Sequence, residues 1–152
     1  MKKLASLILV SAAVTLSGPA MAQFAKPEDA IKYRQSAMFV MQQNFARIAT
    51  MAAGRAPLDA KVAAESAEVA AYMSKLPWAA FGEGTDKGAP TKAKAEIWSD
   101  KAKFNDYAEK MQTEMNKLNA AAKTGNLDSI KAAVAHAETE MGTIDILVNN
   151  SG

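Results

Sequence analysis

The 152 residues, 49% hydrophobic and 22% charged, suit one ordinary folded domain and exclude a disordered chain or a fibre. Lys2 and Lys3 precede an apolar run from Leu4 to Leu16, and Ala20-Met21-Ala22 supplies the small residues a signal peptidase accepts. Cleavage after Ala22 removes 22 of the 152 residues, leaves 130 from Gln23 onward, and takes both leader lysines, so 18 Lys+Arg become 16 against 16 Asp+Glu. The formal net charge falls from +2 to 0, and the basic balance of the precursor argues for no nucleic-acid partner.

The leader's apolar run is too short to span a bilayer, and no later segment approaches 18 uncharged apolar residues, so no membrane partner is expected. The two-lysine start with a short apolar core resembles a bacterial export signal and points to the periplasm. Cysteine is absent. That excludes a disulfide framework, a thiolate nucleophile, a Cys-rich metal site and any thioether link to a prosthetic group.

Beyond the leader, the chain is rich in Ala, Lys, Glu and Met and lacks β-branched alternation, so it reads as helical. The first helix opens near Pro27, with Glu28 and Asp29 in its first turn. Ile31, Met38, Met41, Phe45, Ile48 and Ala52 form one apolar stripe, interrupted by Arg34. The segment from Gly54 to Pro57 ends this helix, and Asp59 caps a second that runs to about Leu76, with Val62, Val69, Met73 and Leu76 on its inner side. Pro77 stops it. From Trp78 to Ser99 a long loop carries Trp78, Phe81, Ile97 and Trp98, which predicts that it packs over something. Ser99 or Asp100 opens a third helix with the stripe Phe104, Tyr107, Met111, Met115, Leu118 and Ala122. After the turn Thr124-Gly125-Asn126 a fourth follows, with Leu127, Ile130, Val134, Ala137, Met141 and Ile144. Four amphipathic helices with two short connections and one long one predict an all-α, antiparallel four-helix bundle over residues 23–145.

Such a bundle holds cofactors through inward-facing residues. No Glu-x-x-His pair is present, so a dinuclear metal site is not expected. The single histidine, His136, lies about 100° around its helix from Ala137 and about 200° from Val134, off the core stripe. An exposed helical histidine needs no role; the sharper alternative, a haem ligand with Met38 as the second ligand, is weakened by that displacement. Arg34 sits inward among Ile, Met and Phe, which is costly without an anion or a satisfied polar partner. A haem propionate would serve, with Gln35 adding a hydrogen bond. Snorkelling at the end of the bundle is the other account.

Four blocks in order, running from Gln23 through Pro27, Arg34, Gln35 and Met38, then Leu76-Pro77-Trp78-Ala79-Ala80-Phe81-Gly82, Glu96-Ile97-Trp98-Ser99-Asp100 and Gly125-Asn126-Leu127-Asp128, resemble the cytochrome c′ family of bacterial periplasmic haem proteins. The resemblance covers about residues 23–140. It implies a four-helix bundle, often a homodimer through its first two helices, with a five-coordinate c-type haem that binds small gases, and a redox partner protein. It places the positions of Arg34 and Gln35 near the haem propionates and that of Met38 over the vacant distal face. These three are the expected cofactor-binding residues; no catalytic residue, metal-ligating residue or enzymatic activity is expected.

The family's Cys-x-x-Cys-His motif falls at Met141, Ile144 and Asp145, none of which can form a thioether or supply an imidazole. Covalent haem attachment is therefore excluded by these residues. Gly142-Thr143-Ile144-Asp145-Ile146-Leu147-Val148-Asn149-Asn150-Ser151-Gly152 instead resembles a strand-and-turn segment of short-chain dehydrogenases. No Tyr-x-x-x-Lys pair accompanies it, since Tyr72 and Tyr107 have Lys75 and Lys110 one residue too close, and helices cannot supply the sheet. The change near Met141 resembles a join between unrelated segments, with the fourth helix expected to reach about 145 and residues 146–152 to fray. Two functions follow: an impaired cytochrome c′-like protein for electron transfer or small-gas binding, or a haemless bundle acting as a structural or binding module.

Overall fold

The computed structural model describes residues 24–142. The leader 1–22, the extension of the fourth helix to 145 with Ile144 and Asp145, and the tail 146–152 lie outside the described residues.

Helix α1 spans Pro27–Ala52, with Pro27 at its first turn and Glu28 and Asp29 beside the positive end of its dipole. Gly54, at φ 71°, takes the left-handed conformation that turns the chain after it. Asp59 then caps α2, Ala60–Met73, accepting a hydrogen bond from the Val62 N–H at 3.0 Å. Beyond a 3₁₀ turn at Pro77–Ala80 and a one-turn helix α3, Glu96–Ser99, Asp100 accepts from the Lys103 N–H at 3.1 Å and starts α4, Lys101–Lys123. Gly125, at φ 67°, makes the last turn, and Asn126 accepts from the Ser129 N–H at 2.9 Å to open α5, Leu127–Gly142.

The four long helices form an antiparallel bundle, and no strand occurs among the described residues. Around it, α1 packs on α2, α2 on α4, and α4 on α5, while the α1–α5 seam is much more sparsely packed. Most of the apolar stripes of α1, α4 and α5 are buried as their spacing predicts, with Ile31, Met38, Met41 and Ile48 on α1, Phe104, Met111, Met115 and Leu118 on α4, and Ile130, Val134 and Ala137 on α5, whereas Phe45, Tyr107 and Leu127 are only partly buried.

Helix α2 departs from expectation. It ends at Met73, before Leu76, and its inner face is Ala63, Ser66, Ala67, Ala70 and Ala71, whereas Val69 is exposed and Val62 and Met73 only partly buried. Rotating the small residues inward lets α1 and α4 approach α2 closely, which the larger side chains would prevent.

The segment between Trp78 and Ser99 is folded onto the end of the bundle. Phe81 and Ile97 are buried, and Phe81 lies between Trp78, Trp98 and Phe104 at ring-centroid distances of 6.5, 6.0 and 4.9 Å. Both indole N–H groups are used: Trp78 Nε1 donates to the Ser74 carbonyl at 2.6 Å and Trp98 Nε1 to the Gly82 carbonyl at 2.8 Å.

Candidate functional site

Where α1 and α5 fail to close, a cavity of about 350 Å³ opens into the bundle. Met38, Met41, Phe45, Ala46 and Ala49 of α1 form one wall, Met111 and Met115 of α4 lie across it, and Gln42, Thr50, Arg55 and Glu138 add polar groups. A mostly apolar space with a few convergent polar groups, at the lower end of the ~300–1,000 Å³ range for small-molecule sites, is the usual form of a ligand pocket.

Of the three residues singled out by the sequence, Met38 lines this cavity and the other two do not. Arg34 is fully buried, which rules out the snorkelling account. Its Nη1 donates to the Ala80 carbonyl at 3.0 Å, the Thr85 carbonyl at 2.9 Å and Thr85 Oγ1 at 3.3 Å, while Nη2 donates to Thr91 Oγ1 at 3.2 Å. The guanidinium also lies 4.5 Å from the Phe81 ring centroid and 5.4 Å from that of Trp98. Burial lowers its pKa to about 10, against the opposing pull of Asp86, so it stays charged at neutral pH. Gln35 is tied to the same loop, donating from Nε2 to the Pro90 carbonyl at 3.1 Å. Arg34 and Gln35 thus fasten the long loop to α1. One donor of Arg34 is left over: Nε is buried with no hydrogen-bond partner.

His136 is largely solvent-exposed, as its helical position predicts, but it has a partner that the sequence reading missed. Its Nδ1 lies 2.7 Å from Oε2 of Glu114, whose other oxygen accepts from Lys117 Nζ at 2.8 Å. Glu114 is only 5% exposed on α4. The available signal was an acidic residue three after Met111 and four before Leu118, at core spacing, with a histidine on the next helix. His136 does not line the cavity.

A family model described as Cytochrome C′ matches residues 29–140. Cytochrome c′ of Rubrivivax gelatinosus is 54% identical over 112 residues, covering 74% of this chain and 87% of that protein. The chain belongs to the cytochrome c′ family. Cytochrome c′ of Alcaligenes xylosoxydans xylosoxydans is 49% identical over 111 residues, 73% of this chain and 85% of that one. Among solved structures, cytochrome c′ of Rubrivivax gelatinosus has a TM-score of 0.76 at 50% identity, covering 80% of this chain and 94% of its own. A nitrosyl complex of a variant of the Alcaligenes xylosoxidans protein gives 0.75 at 44% identity, covering 82% and 96%.

Haem, the cofactor of cytochromes c′, fits this chain in part. The apolar lining is of the kind that a porphyrin face packs against, and Arg34, which does not line the cavity, carries an orphaned Nε, a donor suited to a carboxylate. The iron-binding chemistry does not fit: the 152 residues hold no cysteine, and their one histidine is outside the cavity and engaged by Glu114. Among the described residues no group of three or more His, Cys, Asp or Glu could hold a metal ion.

The Glu114 cluster makes a pH prediction. Burial alone would raise the Glu114 pKa, but the bonds from Lys117 and His136 outweigh it and hold the carboxyl below its ordinary value. A lowered folded-state pKa contributes stability that is present above the ordinary carboxylate value and is lost as pH falls through the lowered one. Thermal melts should therefore show wild type losing more stability than Glu114→Gln on acidification, with the variant costing about 1–3 kcal/mol at neutral pH. Parallel pH profiles for the two proteins would remove Glu114 from this role.

Proposed function

We propose that this chain is a periplasmic cytochrome c′-type haem protein for electron transfer or small-gas binding, with no catalytic role, and that it is impaired because it holds haem by burial alone. The observation that carries this reading is the apolar cavity between α1 and α5 in a bundle of this family. Haem, when bound, supplies an iron centre for one-electron transfer or ligation of a diatomic gas. Met38 would wall one face of the porphyrin, and Arg34 and Gln35 would lie toward its propionates, Arg34 through Nε. The nitrosyl complex of the Alcaligenes relative supports the gas-binding side of the reading. The leader-like start, Lys2 and Lys3 ahead of Leu4 to Leu16, supports the periplasm. Among the described residues no helix is long and apolar enough to cross a membrane.

Without a thioether link or a histidine in the cavity, haem should exchange. Titrating haem into the haem-free protein should shift the Soret band, and an excess of a tight haem-binding acceptor protein should then strip it. No Soret shift at micromolar protein would contradict the reading and favour a haemless bundle, the alternative supported by the missing cysteines and the position of His136.

A homodimer through α1 and α2 belongs to the same reading, since Phe39 and Val40 of α1 and Val69 and Tyr72 of α2 leave large apolar side chains exposed. Sedimentation equilibrium should give dimers that dissociate on Phe39→Glu. A monomer at all concentrations would exclude that dimer.

A further inference from the structure

The haem reading makes no use of the sulfur in the cavity. Four thioethers line it, from Met38 and Met41 on α1 and from Met111 and Met115 on α4. Each pair is separated by three or four residues, so its members sit one turn apart on one face of their helix. The two helices stand diagonally across the bundle: both pack on α2, α4 packs also on α5, and α1 and α4 barely touch each other. All four side chains are between 0 and 7% exposed, so water competes little for them.

Methionines at helical spacing are most often core filling, suited to it by three rotatable bonds and a polarisable sulfur. These four belong to the packed core and at the same time border about 350 Å³ of space, many times the ~30 Å³ share of a water molecule. With three rotatable bonds each, these side chains have room to turn a sulfur toward that space. Among the described residues no imidazole lines the cavity, and its charged side chains are one carboxylate, Glu138, and one guanidinium, Arg55.

We propose that Met38, Met41, Met111 and Met115 form a thioether site for a soft monovalent cation, cuprous copper. Neutral thioether sulfur selects Cu(I), whereas magnesium and calcium demand oxygen ligands and zinc takes thiolate, imidazole or carboxylate. A single positive charge in an apolar cavity is costly unless it is ligated. Four soft donors supply that ligation; of the two charged side chains on the lining Glu138 has the opposite sign and Arg55 the same, so the thioethers carry the binding. The site needs neither the missing cysteines nor His136, so it goes beyond the haem reading.

The test uses the haem-free protein and Ag(I), which has the softness of Cu(I) and no accessible redox change, followed by Cu(I) in competition with a colorimetric chelator. Native mass spectrometry should show one Ag(I) per chain and no bound Zn(II). In methyl spectra of methionine-labelled protein the Met38, Met41, Met111 and Met115 signals should move and those of Met51 and Met73 stay in place. The double substitution Met38→Leu with Met111→Leu, nearly volume-conserving, should weaken Ag(I) binding at least tenfold with its helical circular dichroism retained. No stoichiometric Ag(I) binding, or equal affinity in wild type and double variant, would overturn the proposal. Shifts confined to other methionines of the wild-type protein would do the same whether or not the variant folds. Haem uptake without Ag(I) binding sinks this proposal alone, and Ag(I) binding without haem uptake sinks only the haem reading.

Discussion

Alanine decides where this bundle closes and where it stays open. Ala63, Ala67, Ala70 and Ala71 give α2 a face without long side chains, and α1 and α4 press against it. Alanine loses no side-chain entropy on burial and lets helix backbones approach, so those seams are dense at low cost. On the opposite side α1 and α5 stay apart, with Met38, Met41, Met111 and Met115 around the space between them. The interior is consequently two clusters, one of aromatic and methionine side chains toward the long loop, the other of Ile48, Met51, Leu118, Ile130 and Val134 with alanines at the far end.

Arg34 holds the loop end of this arrangement together. A guanidinium removed from water needs acceptors, and it finds them in the Ala80 and Thr85 carbonyls and the hydroxyls of Thr85 and Thr91, all from a segment with little regular structure of its own. The same group rests against Phe81 and Trp98, joining the polar and aromatic parts of the cap. One residue thus ties α1 to a loop more than 40 positions away in sequence.

Much of this was legible in the chain. Periodicity located the four helices, and Asp59, Asp100 and Asn126 marked three of their starts because each cap uses a short polar side chain at a fixed place. The aromatic residues of the loop announced that it would be packed. The inward face of α2 was misread because large apolar residues were ranked above alanine, while close helix contact rewards the smaller side chain. Arg34 was recognised as an inward cation, but two of its four acceptors are backbone carbonyls, which carry no signature in sequence, and the other two are threonine hydroxyls of a distant loop. Glu114 and His136 meet across two helices, and such a pairing depends on the relative rotation of α4 and α5, a property of the assembled bundle. The cavity is of the same kind, since it exists only because one seam closes less than the other three.

The cytochrome c′ bundle has here been separated from the chemistry that fastens its cofactor. What remains is the bundle with an apolar cavity of about 350 Å³, and on the proposed reading burial without a covalent link gives reversible haem binding. The most direct measurement is a visible absorption spectrum of the protein expressed with its leader in a host able to mature c-type cytochromes, taken before and after acid-acetone extraction. Haem held by burial alone predicts a Soret band that leaves with the solvent; a band that survives extraction, or no band at all, would contradict it.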